Sequence, residues 1–263
     1  MSDAPVEVSF DPSTIKAIAF DAYGTLFNIT NTDFHIAISR LLAEQEIEVE
    51  DMDAFFDFWV KAYGKAAVWA EARAASGGAA GGDLELNGPL PAWHSTHEIW
   101  RRQFGVAFEH YGMSGDSAAA ADALRARLAL ADPYPDAHDT VEALAQRGYL
   151  LGLLSNADED FLQSALSRAR LRFSIIQTSE SLRAYKPHRA IFEAFCLRAR
   201  CEPHEVLYVG DSPIADVGGA QNAGLRTALV KREERPISER ARPADVVVAQ
   251  LADLVPILDG VRA

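Results

Sequence analysis

The chain has 263 residues, 49% of them hydrophobic, which is enough to bury the core of one large or two small domains. Its formal net charge of -13 argues against a nucleic-acid partner, because a phosphate backbone would be repelled at long range. No apolar run reaches membrane-spanning length and residues 1–5 do not resemble a signal peptide, so we expect a cytoplasmic protein without membrane contact. Cys196 and Cys201 are too few for a disulfide framework and are interpreted as ordinary thiols.

The first predicted strand, residues 15–20, is an apolar run that ends at a carboxylate. The loop that follows reads Asp21-Ala22-Tyr23-Gly24-Thr25-Leu26. The end of a buried strand is where α/β enzymes place reactive groups, so Asp21 is a candidate catalytic residue. Taken alone, an aspartate at such a place is more often a turn former or a helix cap.

From residue 28 to about residue 132 the pattern changes to helix after helix. Aromatic and aliphatic residues recur at helical spacing in three stretches, and an Ala- and Leu-rich fourth stretch follows at about 118–130. The spacing predicts a bundle core, formed by Phe34, Ile38, Leu41, Leu42, Phe55, Phe56, Trp59, Tyr63, Ile99, Trp100, Phe104 and Phe108. The Gly-rich residues 76–91 allow two interpretations, a lid at the entrance of a site or a disordered surface insert.

Strand-and-helix alternation resumes near residue 134, with a predicted helix at 139–146 and strands at 149–154, 206–209, 225–230 and 245–248. A closing helix is predicted at 251–258. Three polar segments accompany the strands at 149–154 and 206–209. One follows the first strand, one lies between the two, and one follows the second. In that order they read Ser155-Asn156-Ala157-Asp158, Tyr185-Lys186-Pro187-His188 and Gly210-Asp211-Ser212-Pro213-Ile214-Ala215-Asp216. Because the carboxyl ends of parallel strands converge on one crevice, we expect these segments to meet.

The loop at Asp21 and these three polar segments resemble, in order, the motifs of the haloacid dehalogenase superfamily. In these hydrolases the first aspartate attacks phosphorus or carbon and forms a covalent aspartyl intermediate. The resemblance implies an α/β fold, with a Rossmann-like parallel-sheet core at residues 1–27 and 133–263. Residues 28–132 would form an inserted α-helical cap that closes over the site and selects the substrate, as in the subgroup that includes dehalogenases, phosphoglycolate phosphatases and β-phosphoglucomutases.

The resemblance also implies roles for single residues. Asp21 is the expected nucleophile, Lys186 steadies it and the substrate anion, and Asp216 orients Lys186 or a metal-bound water. As an alternative that is compatible with this role, Asp216 caps the helix that Gly224 ends. The expected substrate-binding residues are Thr25, Ser155 and Asn156.

A magnesium site is the next expectation. Two carboxylates that face a phosphate would repel it, so a hard divalent cation is expected between them. The resemblance implies that Asp21, Asp211 and the backbone carbonyl of Tyr23 hold Mg²⁺.

Tyr23 departs from the phosphatase pattern, which carries a second aspartate at this position as the general acid. Loss of an acid costs about 10²–10⁴ in rate. We nevertheless favour an Mg²⁺-dependent phosphatase that acts on a small phosphorylated metabolite, because Asp211 supplies a metal carboxylate.

The alternative is a metal-free 2-haloacid dehalogenase, whose halide leaves without protonation and whose motif is closer to residues 21–27. A third interpretation is a catalytically weak member used for binding. In each case the expected partner is a small anionic molecule, and the oligomeric state is left open.

Overall fold

The computed structural model describes residues 8–62, 84–232 and 242–259. The chain divides into two compact units. The first comprises Met1–Asn28, Asp132–Asn156 and Leu166–Ala263, and the second comprises Ile29–Ala131 and Ala157–Ala165. The predicted division into domains at residues 28 and 132 stays a prediction, and it did not foresee that a short stretch after Asn156 groups with the second unit.

The first unit is built on a parallel sheet, which has six strands in the described part of the chain. These are β1 (Ala17–Phe20), β2 (Leu150–Ser155), β3 (Ile175–Thr178), β4 (Val206–Gly210), β5 (Arg226–Val230) and β6 (Val246–Val248). Their order is β3-β2-β1-β4-β5-β6, with every pair parallel. The order reverses beside β1, and in open α/β sheets the crevice at such a reversal binds ligands.

The register of the central strands determines which residues lie beside the end of β1. Phe20, the last residue of β1, lies opposite Leu153 of β2 and Val209 of β4. The residues that follow these positions therefore lie near the same edge of the sheet. Asp21 continues the ladder, because its backbone N–H donates to the carbonyl of Val209 at 2.9 Å.

The helices of the described residues, in chain order, are α1 (Asn31–Glu44), α2 (Met52–Ala62), α3 (Leu84–Asn87), α4 (Thr96–His110), α5 (Ser117–Ala129), α6 (Ala137–Gln146), α7 (Glu159–Ala169), α8 (Ser179–Leu182), α9 (Arg189–Ala199), α10 (Gly219–Asn222) and α11 (Leu254–Asp259). Several begin at polar caps, which satisfy the free N–H groups of the first turn. Thr30 and Asp33 form a capping box on α1, Ser95 caps α4 and Asp116 caps α5.

The second unit has a core of its own. The apolar faces of α1, α2, α4 and α5 pack together, with Ile38, Phe55, Trp59 and Phe104 all buried. The aromatic positions that helical spacing assigned to a bundle core lie there, except Tyr63, which is outside the described residues. Residues 76–83 of the Gly-rich segment are also outside them.

In the first unit α9 packs its aromatic side chains against the sheet. The ring of Phe195 lies so close to Gly152 in β2 that a Cβ there would be 2.3 Å from it, so a residue without a side chain is required. Cys196 on the same helix is a free thiol, and burial raises its pKa to about 12.

The parallel sheet with flanking helices confirms the predicted α/β fold class. Element ends differ slightly from the predictions. The last helix begins at Leu254 rather than 251, because a 3₁₀ turn at Leu251–Asp253 precedes it. Within the described residues no helix is both long enough and apolar enough to span a membrane.

Candidate active site

Asp21 lies at the carboxyl end of β1 and is only 8% exposed. The loop that follows it turns back tightly, because the N–H groups of Leu26 and Phe27 both donate to the carbonyl of Ala22, at 2.8 and 2.9 Å. Gly24 has φ +91°, and a Cβ on it would lie 2.6 Å from Oδ2 of Asp211. Glycine is therefore required here both by the backbone conformation and by the closeness of Asp211.

Lys186 links the carboxylate at the end of β1 to a carboxylate in the segment that follows β4. Its Nζ lies 2.7 Å from Oδ1 of Asp21 and 2.6 Å from Oδ1 of Asp216, and it donates to Oη of Tyr208 at 2.9 Å. Asn156 fixes its main chain, because the side-chain amide accepts from the N–H of Lys186 at 2.8 Å and donates to its carbonyl at 3.1 Å. The loop after β2 thereby holds the lysine against the end of β1.

The charges in this cluster are strongly coupled because they are buried. Burial disfavours the ammonium of Lys186, but the attraction and hydrogen bonds of Asp21 and Asp216 more than offset this and raise its pKa. Burial, followed by repulsion from Asp216 and Asp21, raises the pKa of Tyr208 well above its usual value. Lys186 is therefore a cation and Tyr208 is a neutral phenol at pH 7.

Among the described residues, one group of acidic, histidine or cysteine side chains could share a metal ion. It consists of Asp21, Asp211 and Asp216, with one ligand atom from each lying within 4.8 Å of the others. An all-carboxylate oxygen set fits a hard cation such as Mg²⁺. With Lys186, the three carboxylates give a formal charge of -2, which also favours a cation.

The structure places the other predicted residues around this group. Thr25 is fully buried, and its hydroxyl donates to Oδ1 of Asp211 at a long 3.5 Å. Ser155 is the last residue of β2 and is buried. Tyr23 is half-buried, and its ring packs 5.5 Å from that of Phe27. The catalytic, substrate-binding and metal roles expected for these residues stay predictions.

Asp216 does not cap a helix from outside. It lies within a π-helical turn, Pro213–Gly218, whose cap is the hydroxyl of Ser212, which accepts from the N–H of Ala215 at 3.0 Å. The carboxylate instead accepts from the N–H of Ser212 at 2.9 Å and from Lys186. The geometry therefore favours the interpretation in which Asp216 orients Lys186.

Sequence reasoning missed two neighbours of the site. Tyr208, in the middle of β4, contacts Lys186; the only signal was a hydroxyl within an otherwise apolar strand. Arg232 holds the loop after β1, because it donates to the carbonyl of Thr25 at 3.1 Å and pairs with both carboxylate oxygens of Asp136. It lies beyond β5, and nothing in the sequence pattern indicates that it returns to this loop.

The fold and site define a class of protein. A family model described as a haloacid dehalogenase-like hydrolase matches residues 15–224. The chain belongs to this hydrolase family, which confirms the resemblance inferred from the motifs.

Individual relatives show which members of the family the chain is similar to. Over 93% of its length the chain is 27% identical to (S)-2-haloacid dehalogenase 4A from Burkholderia cepacia, of which 95% is covered. It is 29% identical over 51% of its length to pyrophosphatase PpaX from Bacillus mycoides, of which 63% is covered. Among solved structures, L-2-haloacid dehalogenase from Xanthobacter autotrophicus matches with a TM-score of 0.71 at 25% identity, over 94% of this chain and 99% of that one.

Proposed function

We propose that the protein hydrolyses the carbon–halogen bond of a small 2-haloacid through an aspartyl ester formed on Asp21. The observation that carries this choice is the similarity to a 2-haloacid dehalogenase along nearly the whole chain. It reverses the preference for a phosphatase that the sequence motifs favoured. The chemistry at position 23 supports it, because a departing halide needs no proton and Tyr23 is not a carboxylic acid.

In this reaction an oxygen of Asp21 attacks the carbon that bears the halogen, and the halide leaves with the bonding electron pair. Water then adds to the ester carbonyl and the bond to the substrate oxygen breaks, which restores the carboxylate and releases the 2-hydroxyacid and one proton. Lys186 holds the carboxylate of Asp21 in place, since its ammonium lies 2.7 Å from the carboxylate at a buried position. Ser155, at the end of β2, is a candidate donor to the substrate carboxylate.

An Mg²⁺-dependent phosphatase is the second candidate, and the group of three carboxylates favours it. Their formal charge of -2 with Lys186 would oppose a haloacid anion but would attract a cation. Asp21 and Asp211 would hold the ion with the backbone carbonyl of Tyr23, which precedes Gly24, the residue on which a Cβ would lie 2.6 Å from Oδ2 of Asp211. Bound Mg²⁺ would offset these charges and polarise a phosphoryl group.

A paired assay decides between the two candidates. Purified protein is given (S)-2-chloropropionate with EDTA, and separately p-nitrophenyl phosphate with MgCl₂, while chloride and phosphate release are measured. We expect chloride release in the presence of EDTA. Asp21→Asn removes the attacking charge at nearly constant size, so it should reduce turnover to background and serves as the control.

The opposite pattern overturns the main proposal. Phosphate release that requires Mg²⁺, without chloride release, would identify the protein as a phosphatase. Release of neither product from these or a panel of related haloacids and phosphoesters would favour the third interpretation, a member of the family that binds without turnover.

A further inference from the structure

We propose that Tyr208 is a positioning residue for the reaction at Asp21, and that it acts by occupying the third N–H of Lys186. This inference rests on the proposed function only in that Asp21 is taken as the nucleophile. Tyr208 lies in the middle of β4 and acts through its contact with Lys186 rather than on the substrate.

The argument begins with the hydrogen-bonding capacity of Lys186. An ammonium group has three N–H donors and no acceptor. Asp21, Asp216 and Tyr208 lie at 2.7, 2.6 and 2.9 Å from Nζ, so each donor has one partner. Lys186 is 4% exposed, and water cannot easily replace any of the three. The direction of the donor that points at Asp21 is therefore fixed by the other two partners.

Tyr208 is held as firmly as the lysine that it contacts. Its hydroxyl donates to the carbonyl of Leu154 at 2.8 Å, with Oδ1 of Asp216 as a second, more distant acceptor at 3.3 Å, and its oxygen lone pairs accept from Lys186. The ring of Phe192 packs edge-on against the phenol at a centroid distance of 5.1 Å. Leu154 directly precedes Ser155, so Tyr208 connects the backbone of β2 to the lysine across the sheet.

One consequence concerns the substrate. The resemblance implied that Lys186 steadies both the nucleophile and the substrate anion. With its three N–H donors given to the protein, Lys186 is reserved for the carboxylates, and the anionic group of the substrate must be recognised by other residues. Tyr208 thus separates positioning of the nucleophile from binding of the substrate.

Lysine-selective ¹⁵N NMR tests the contact without any substrate. The chain has five lysines, so their ammonium signals can be assigned by single Lys→Arg variants. In the wild type the buried, fully paired Lys186 should give a slowly exchanging ammonium signal. In Tyr208→Phe one donor loses its partner, and we expect hydrogen exchange with water to become about tenfold faster. Tyr149→Phe is the matched control, because it removes a buried hydroxyl that donates to the carbonyl of Leu258 at 3.4 Å.

Kinetics then tests the consequence for catalysis. With (S)-2-chloropropionate and enzyme in excess, the limiting single-turnover rate constant at saturating enzyme does not depend on the fraction of correctly folded protein, and enzyme concentrations are corrected for that fraction. We expect Tyr208→Phe to lower the limiting rate constant about tenfold while the half-saturating concentration stays constant, and Tyr149→Phe to change neither. If the wild type releases only phosphate, p-nitrophenyl phosphate with MgCl₂ takes the place of the haloacid.

Two results overturn the proposal. One is unchanged hydrogen exchange at Lys186 in Tyr208→Phe; the other is a limiting rate constant that matches Tyr149→Phe. If Tyr208→Phe does not fold, 3-fluorotyrosine at position 208 keeps the shape and weakens the acceptor, and the same two results apply to it. A wild type that turns over no substrate would refute the proposed function, while the NMR result would still decide the contact.

Discussion

Tyr23 gives the loop after β1 an aromatic side chain where a phosphatase of this family would carry its acid. Its ring packs against Phe27 within the same loop, 5.5 Å away, so the side chain also contributes to local packing. A phenol has a reference pKa of about 10, which makes it a poor proton donor at neutral pH. If residue 23 adjoins the leaving group, as we propose, we expect a preference for leaving groups that depart as stable anions.

Replacing Tyr23 by Asp should lower chloride release from (S)-2-chloropropionate. A new carboxylate beside Asp21 and Asp211 adds to the formal charge of -2 and repels the substrate anion, so we expect a loss of about tenfold or more in kcat/KM. Tyr23→Phe keeps the packing against Phe27 and should stay within about twofold of the wild type. An Asp variant that released chloride faster, or gained hydrolysis of alkyl phosphates with Mg²⁺, would contradict this expectation and favour the phosphatase.

Single residues of the site differ in how far the sequence reveals them. Asp21 could be placed because an apolar run marks where β1 ends, and the end of a strand predicts the position of the next side chain. Tyr208 could not, because strands of a parallel sheet are buried on both faces and read as continuous apolar runs. Such a run does not show which partner a hydroxyl within it will meet.

At the scale of elements, the start of α4 depends on a residue far away in sequence. The N–H groups of Thr96 and His97 donate to the carboxylate of Asp158, at 2.8 and 3.1 Å, and Asp158 is 2% exposed. These groups have no partners within the helix, and the positive end of the helix dipole also favours a carboxylate. Asp158 immediately precedes α7, so it joins the starts of two helices.

Replacing Asp158 by Asn should destabilise the protein by about 1–3 kcal/mol, because one N–H of α4 then faces the amide NH₂ group, which can donate but not accept. Urea unfolding, followed by circular dichroism, measures the loss. Asp160→Asn, an exposed change two residues further on, should cost no more than about 0.5 kcal/mol. Equal effects of the two substitutions would show that the buried bonds to α4 contribute little.

The order and type of most elements could be predicted, because helical spacing and apolar runs are local properties of the chain. The bond between Asp158 and Thr96 could not be, since 62 residues separate them and no pattern relates them. The predicted ends of elements were also less accurate than their predicted order and type. The 3₁₀ turn before α11, for example, has the same apolar spacing as the helix that it precedes.

For the whole molecule, the net charge of -13 and the carboxylates near Asp21 both attract a divalent cation. We expect MgCl₂ to raise the thermal midpoint more than NaCl of equal ionic strength does, whichever reaction the protein catalyses. A cation at a hundred times its Kd adds about 2.7 kcal/mol, which corresponds to several degrees for a chain of this length.

Asp211→Asn removes one ligand carboxylate and should abolish most of this Mg²⁺-specific shift, as followed by differential scanning calorimetry. Asp245→Asn, a change at a carboxylate that bonds Thr227 elsewhere in the first unit, should leave it intact. Equal shifts in MgCl₂ and NaCl would refute cation binding at the carboxylate group.

The short stretch Ala157–Ala165 affects how the second unit could be exchanged between members of the family. It groups with the second unit although it follows Ser155 and Asn156, so the chain passes between units four times. A chimera that exchanged only residues 29–131 would place a foreign α4 against the host's Asp158, apart from the segment that contacts the start of that helix in its own protein. The second unit is therefore discontinuous in sequence, and a functional graft must carry both Ile29–Ala131 and Ala157–Ala165.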